Sequence, residues 1–297
     1  IACAAIASRT KTLQVGTAII VAPLRDPIHL AEEAAVVDVI SGGRLIVGLG
    51  IGNYAPEFAL FSVPMREQAA RFDDILTVLT TAWSDGPLNM SGRVWDYEDI
   101  LITPRPVQRP HPPLWVGAMS MAGCDRAARF GATLVLDSLH PVGAFLPYVS
   151  YYREQAEKYG TEASVALMRW AWLTDDPSET SDVWWPGVRG LFWHYLKDIP
   201  RLSSDMDARV TSMSGREEMT LEALRDDRLL VGTAREVRDQ IVIWEEMLGL
   251  DWIVMRFEPP TGPSEPTVLK VVRDFGEEII DGRGRGKPAT ASETPLA

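Results

Sequence analysis

The sequence predicts an α/β fold, a parallel TIM (β/α)8 barrel from which about the first two βα units are missing. Three observations predict it. Strand-like and helix-like patterns alternate from the first residues onward, the signature of βα units around a parallel sheet. The strand-like runs are apolar and β-branched without a polar alternate face, as strands covered on both sides require. Six such runs can be placed in the 297 residues. A barrel needs eight strands and about 250 residues before insertions, so two absent units would amount to about 60 residues. Residues 1–10 read as the tail of a helix ahead of its strand, which puts the shortfall at the N-terminus. Position 1 is Ile rather than Met, as in a fragment.

The elements follow in order. Residues 13–21 (LQVGTAIIV) form a buried strand. Asp26 caps a helix with Pro27 in its first turn, running to about Ile40 and stopped by Gly42 and Gly43. Residues 45–49 form the next strand, ending in glycines. Residues 54–64 read as loop because Pro56 and Pro64 fall in them. Residues 66–84 form an amphipathic helix with Phe72, Ile75, Leu76, Leu79 and Trp83 on one face. Residues 92–102 suit an exposed hairpin, and the Pro-rich stretch 103–113 is a loop leading inward. Then come strand 114–116, helix 120–130, strand 133–136, helix 142–159 and strand 164–173. The strand rhythm lapses over 175–228, a polar, Trp-bearing helical insertion. Residues 229–231 are too brief to count as a barrel strand. Thr233 and Glu236 make a capping box for a helix closed by Gly249. Strand 251–257 and helix 267–280 end a single incomplete barrel domain over 1–280. Residues 281–297, rich in Gly, Pro and Thr, form a disordered tail.

Composition excludes several functions. The formal charge is −12, from 41 acids against 29 bases. Bulk charge of that sign does not hold nucleic acid or an anionic membrane. No apolar run approaches the ~20 residues of a membrane span. The first residues lack a basic leader, and two cysteines make no disulfide framework, so the expected location is the reducing cytoplasm. The four histidines, His29, His111, His140 and His194, show no metal-ligand spacing, so no metal is expected. A Ser-His-Asp arrangement is equally unsupported. Residues 48–53 (GLGIGN) invite a dinucleotide reading, but Asn53 stands where the fingerprint needs glycine. Arg44, next to Gly43 at a strand start, lies at the opposite end from a barrel's ligand face and reads as a structural ion pair. Cys124, one turn into a helix, reads as a buried thiol.

Three stretches carry a resemblance. GTAIIVAPLRDP (16–27) followed by DVISGGRLIVGLGIGNY (38–54) resembles the front half of the bacterial luciferase-like flavin monooxygenase family. PRPVQRPHPPLWVGAMS (104–120) is similar to the family's Pro-rich approach to its fifth strand. VGTAREVRDQI (231–241) before DWIVMRF is similar to its closing loop, helix and strand. The resemblance runs in order from residue 1 to about 280, and the joint pattern is specific although no single piece is. It implies that residues 13–21 are barrel strand three. The family's pocket histidine then falls in the absent part, which leaves His140, after the strand at 133–136, as a weak catalytic candidate.

The resemblance also implies a cofactor site. Ala18 and Ile19 match the place where the family carries a non-prolyl cis peptide that supports the flavin ring; on their own they read as plain core strand. Gly50, Gly52 and Asn53 would form a strand mouth where missing side chains let a flat ring approach, with Asn53 donating to a ring carbonyl. A tight turn without ligand is the alternative. Ala118, Met119, Ser120 and Gly123 would hold the FMN phosphate at a helix N-terminus, a role compatible with Ser120 acting as an ordinary N-cap. The Trp-rich insertion is either a lid over the barrel mouth or a satellite core.

Implied by the same resemblance is a monooxygenase that uses reduced FMN and O2 on a small apolar or carbonyl substrate. A separate flavin reductase would supply the cofactor, and the chain would be a homodimer contacting through residues 27–40. The alternative within the fold is an oxidoreductase using the deazaflavin coenzyme F-420. Asn53 disfavours its sugar-phosphate dehydrogenase branch, which carries glutamate there. A non-catalytic flavin-binding or partner subunit is the alternative of another class.

Overall fold

The computed structural model describes residues 1–198 and 207–280. They fall into two compact units. The first comprises Ile1–Asp137, Phe145–Leu167 and Leu250–Trp252. The second comprises Ser138–Ala144 with the described residues of 168–249 and 253–280. The expected tail at 281–297 lies outside the described residues.

In the first unit, α1 (Ala2–Arg9) leads into β1 (Val15–Gly16) and β2 (Ile20–Val21). The single strand expected over 13–21 is therefore two short pieces. Thr17 is the reason: its Oγ1 donates to Gly48 O at 2.8 Å and accepts from Gly48 N at 3.0 Å, so a side chain takes over the pairing where the strand breaks. α2 (Pro27–Ser41) starts and stops as its sequence dictates. Asp26 accepts from His29 N at 3.0 Å, and Gly42 closes the helix with φ 66°. β3 (Leu45–Gly50) is buried along its whole length. Arg44 before it is structural but not through an ion pair. Its guanidinium donates to the carbonyls of Ala7, Thr10, Leu13 and Ser41, tying α1 to the start of β3, and among the described residues it meets no carboxylate.

The expected loop over 54–64 contains α3 (Ala55–Leu60). Pro56 does not break it, because in the first turn a missing N–H costs nothing. α4 (Gln68–Ala82) buries Phe72, Ile75, Leu76 and Leu79 as its pattern requires, and Trp83 after it donates Nε1 to Ala31 O at 3.1 Å. The hairpin β4 (Leu88–Ser91) and β5 (Asp96–Ile100) begins ahead of the expected 92–102. Its turn is held by Asp74, which accepts from the backbone N–H of Arg93, Val94 and Trp95.

β6 (Leu114–Gly117), α5 (Met121–Arg129), β7 (Thr133–Leu136), α6 (Leu146–Tyr159) and β8 (Val165–Leu173) complete the alternation. β1 and β2 both pair with β3, and β3, β6, β7 and the first residues of β8 follow as parallel neighbours. Asp38 organises the approach to this sheet. Fully buried, it accepts from Val107 N at 2.7 Å, Gln108 N at 3.0 Å and Gln108 Nε2 at 2.7 Å, fixing the Pro-rich segment before β6.

In the second unit the chain runs from a π-helical turn at Glu179–Trp184 into α7 (Trp185–Trp193), α8 (Ala208–Ser212) and α9 (Leu221–Arg228). β9 (Leu229–Gly232) then pairs in parallel with the last residues of β8, Trp170 with Leu229 through Leu173 with Gly232. α10 (Ala234–Leu248), β10 (Trp252–Arg256) and α11 (Glu265–Phe275) follow. Within this unit the insertion builds a core of its own. Trp184 stacks on Trp172 at 6.0 Å, meets Trp170 edge-on at 6.5 Å and donates Nε1 to Phe257 O at 3.0 Å. Trp185 packs on Phe192. Arg228, 1 % exposed, donates to Leu139 O and pairs with Asp207 and Asp227. The packing reading holds for Trp184, Trp185 and Phe192, whereas Tyr195 is exposed. No helix among the described residues is long and apolar enough to cross a membrane.

Candidate functional site

Three stretches singled out from sequence come together in the first unit. Val21 of β2 pairs with Gly50 of β3, and Gly50 pairs with Gly117 of β6, so residues 18–21, 50–53 and 117–123 lie at the C-terminal ends of three adjacent parallel strands. That is the end at which such folds take ligands.

The Ala18–Ile19 peptide is cis. The Ile19 side chain, 39 % exposed, lies across β3 and β6. A Cβ added at Gly50 would run into Ile19 Cδ1, and one at Gly117 would lie 3.0 Å from the same atom. The space above these glycines is therefore filled by Ile19, not open to a ring directly. The glycines admit Ile19, and Ile19 with its cis peptide forms the surface a flat ligand would meet. Gly48 plays a related part, since a Cβ there would strike Thr17 O. Beyond β3 the chain turns at Gly52, with φ 72°, and packs under Val21 and Phe58, whose atoms would lie 2.5 and 2.8 Å from a Cβ at that position. Asn53 follows, exposed, its side chain without a hydrogen-bond partner among the described residues.

At the end of β6, Ala118 is buried and its N–H donates to Val135 O at 3.2 Å. Met119 is half-buried and Ser120 exposed. Ser120 is the N-cap of α5, accepting from Gly123 N at 3.1 Å. Gly123 is required by closeness: a Cβ there would lie 2.7 Å from Ala118 Cβ. α5 opens with Met121, Ala122 and Gly123, and its first-turn N–H groups form the positive end of the helix dipole just after β6. An anion fits there without a dedicated cation.

His140 belongs to the second unit, 5 % exposed, its carbonyl accepting from Arg169 Nη2 at 3.1 Å. His29 is exposed beside Asp26, His111 lies between prolines with its ring against Trp83, and His194 packs on Tyr195. Among the described residues, no three His, Cys, Asp or Glu side chains are grouped to hold a metal ion. Cys124 is fully buried, and burial pushes its thiol pKa up to about 12. Thr17 was not among the residues picked out from sequence for a role of its own. A hydroxyl inside an otherwise apolar strand was the available signal for it.

Residues 1–251 match the family model for luciferase-like monooxygenases. The chain belongs to the luciferase-like monooxygenase family. The chain is 27 % identical over 295 residues to the oxygenase component of the flavin-dependent trigonelline monooxygenase of Acinetobacter baylyi, covering 94 % of this chain and 81 % of that protein. Among solved structures, it superposes on the oxygenating constituent of the Pseudomonas putida 3,6-diketocamphane monooxygenase in complex with FMN. The TM-score is 0.75 at 19 % identity, covering 96 % of this chain and 83 % of that one. It also superposes on the coenzyme F420-dependent tetrahydromethanopterin reductase of Methanopyrus kandleri with TM-score 0.72 at 17 % identity, covering 94 % and 86 %. The fold class is thus the α/β TIM barrel of the luciferase-like type, and the protein is an oxidoreductase of the luciferase-like monooxygenase class.

Proposed function

We propose that this chain is the oxygenating component of a two-component monooxygenase that binds reduced FMN at the strand ends of its first unit. The observation that carries the reading is the convergence of residues 18–19, 50–53 and 118–123 on neighbouring parallel strands, with the α5 N-terminus opening beside them. Bound reduced FMN supplies two electrons to O2, so that one oxygen atom enters a small apolar or carbonyl substrate and the other leaves as water.

The chain's own residues do the rest. Ala18 and Ile19 support one face of the ring. Gly52 holds the turn that presents Asn53, whose amide donates to a ring carbonyl. Ser120 and the first N–H groups of α5 hold the phosphate, while Ala118, Met119 and Gly123 keep the approach short.

A separate reductase supplies the flavin, in keeping with the trigonelline relative, which is itself named an oxygenase component. The chain pairs as a homodimer through α2, where Val36, Val39 and Ile40 leave an exposed apolar stripe at helical spacing.

Titrating the protein with FMN, riboflavin and coenzyme F-420 tests the cofactor. FMN is expected to bind about 10-fold or more tighter than riboflavin, a phosphate contribution of at least ~1.4 kcal/mol. Gly123→Val should remove that preference. Equal affinity for FMN and riboflavin, or preference for F-420, would contradict the reading. Supplying reduced FMN with labelled O2 and a panel of aldehydes and ketones tests the activity; flavin binding with no label in any product favours a non-catalytic flavin carrier.

A further inference from the structure

Arg256 ends β10 and stands at that strand's C-terminal tip, exposed to solvent. Its Cζ lies 4.2 Å from the centre of the Trp170 ring. Among the described residues no carboxylate lies within ion-pair distance of it. Other guanidiniums of the second unit are spent: Arg228 and Arg209 on Asp207 and Asp227, Arg169 on the carbonyls of His140 and Met168.

Its surroundings make the charge worth pairing. Trp170 below it is fully buried and is backed by Trp184, which stacks on Trp172, so the guanidinium rests on an apolar base. Packing against this base strips part of its water and lowers its pKa, only partly offset by the nearby Tyr195 phenol. A guanidinium stacked by its face keeps its edge N–H fork free, and that fork matches a carboxylate in two parallel hydrogen bonds. Over a low-dielectric floor such a pair is stronger than at an open surface.

We propose that Arg256 anchors a carboxylate-binding site in the second unit, its N–H fork taking the carboxylate of a small organic acid while its face rests on Trp170. The proposal does not rest on the monooxygenase reading.

The test uses the full chain with benzoate and its neutral isostere benzamide, followed by ligand-observed NMR and calorimetry. Wild type should bind benzoate about 10-fold or more tighter than benzamide, ~1.4 kcal/mol. Arg256→Met keeps the stem over Trp170 and removes the charge, so it should abolish the difference; Arg256→Lys should keep part of it, which guards against a folding defect in the first variant. A wild type that does not distinguish the two ligands, or an Arg256→Met protein that still does, overturns the proposal. So does an Arg256→Met protein that loses affinity for FMN but not riboflavin, because Arg256 would then grip the flavin phosphate. Benzoate binding needs no flavin, so this result and the FMN titration fail separately.

Discussion

A methyl group added at Gly50 would strike Ile19 Cδ1, and one at Gly117 would crowd the same atom. These contacts make a residue-scale prediction. Gly50→Ala should destabilise the protein by about 1–3 kcal/mol, the usual cost of overpacking, in urea unfolding. In an Ile19→Ala background the same change should cost much less, because the obstructing atom is gone; strictly additive costs would contradict the arrangement. Thiol chemistry offers a second check. Burial holds the Cys124 thiol protonated far above neutral pH, whereas Cys3 is partly accessible. A maleimide at pH 8 should label Cys3 alone in the native protein and both cysteines after unfolding. Rapid double labelling of native protein would refute the burial of Cys124.

At the scale of elements, helix ends decide where the chain turns. α10 opens on a complete capping box. Thr233 Oγ1 accepts from Glu236 N at 3.3 Å, and the Glu236 carboxylate accepts from Thr233 N at 2.8 Å. Thr233→Ala should cost about 1 kcal/mol in equilibrium unfolding. The bonds from the Thr233 N–H, and then from its hydroxyl, hold the Glu236 carboxyl below its ordinary pKa. A depressed carboxyl stabilises the fold above the unfolded value of about 4.3 and loses that contribution as pH falls through the folded value. The cost of Thr233→Ala, which removes the hydroxyl bond but keeps the N–H, should therefore be smaller at pH 3.5 than at pH 7; a cost independent of pH would show that the Thr233 hydroxyl does not hold the Glu236 carboxylate.

Elements with local signals were legible in advance: Asp26, Ser120 and Thr233 each cap the helix their neighbours announce. The break between β1 and β2 was not, because Thr17 finds its partner Gly48 31 residues away, and apolar residues on either side read as one strand. α3 was hidden by reading Pro56 as a breaker when its position is the one a helix tolerates.

For the molecule as a whole, the alternation of strand and helix was enough to give the parallel fold, since each βα unit carries its own pattern. The residues of the candidate site were found only through the joint resemblance, because each piece alone is an ordinary glycine turn or cap. Their gathering at Gly50 and Gly117 depends on strand register, which sequence does not display. The stripe of Val36, Val39 and Ile40 on α2 leads to a prediction at this scale. The chain should sediment as a dimer, and Val39→Glu with Ile40→Glu should yield a folded monomer; an unchanged dimer would place the contact elsewhere.

The most direct measurement is a crystal structure of this chain with FMN at saturating concentration. The ring should lie against the Ala18–Ile19 peptide and the phosphate within hydrogen-bond reach of Ser120 and the first N–H groups of α5. A flavin bound away from these strand ends, or a phosphate turned from α5, would contradict the account.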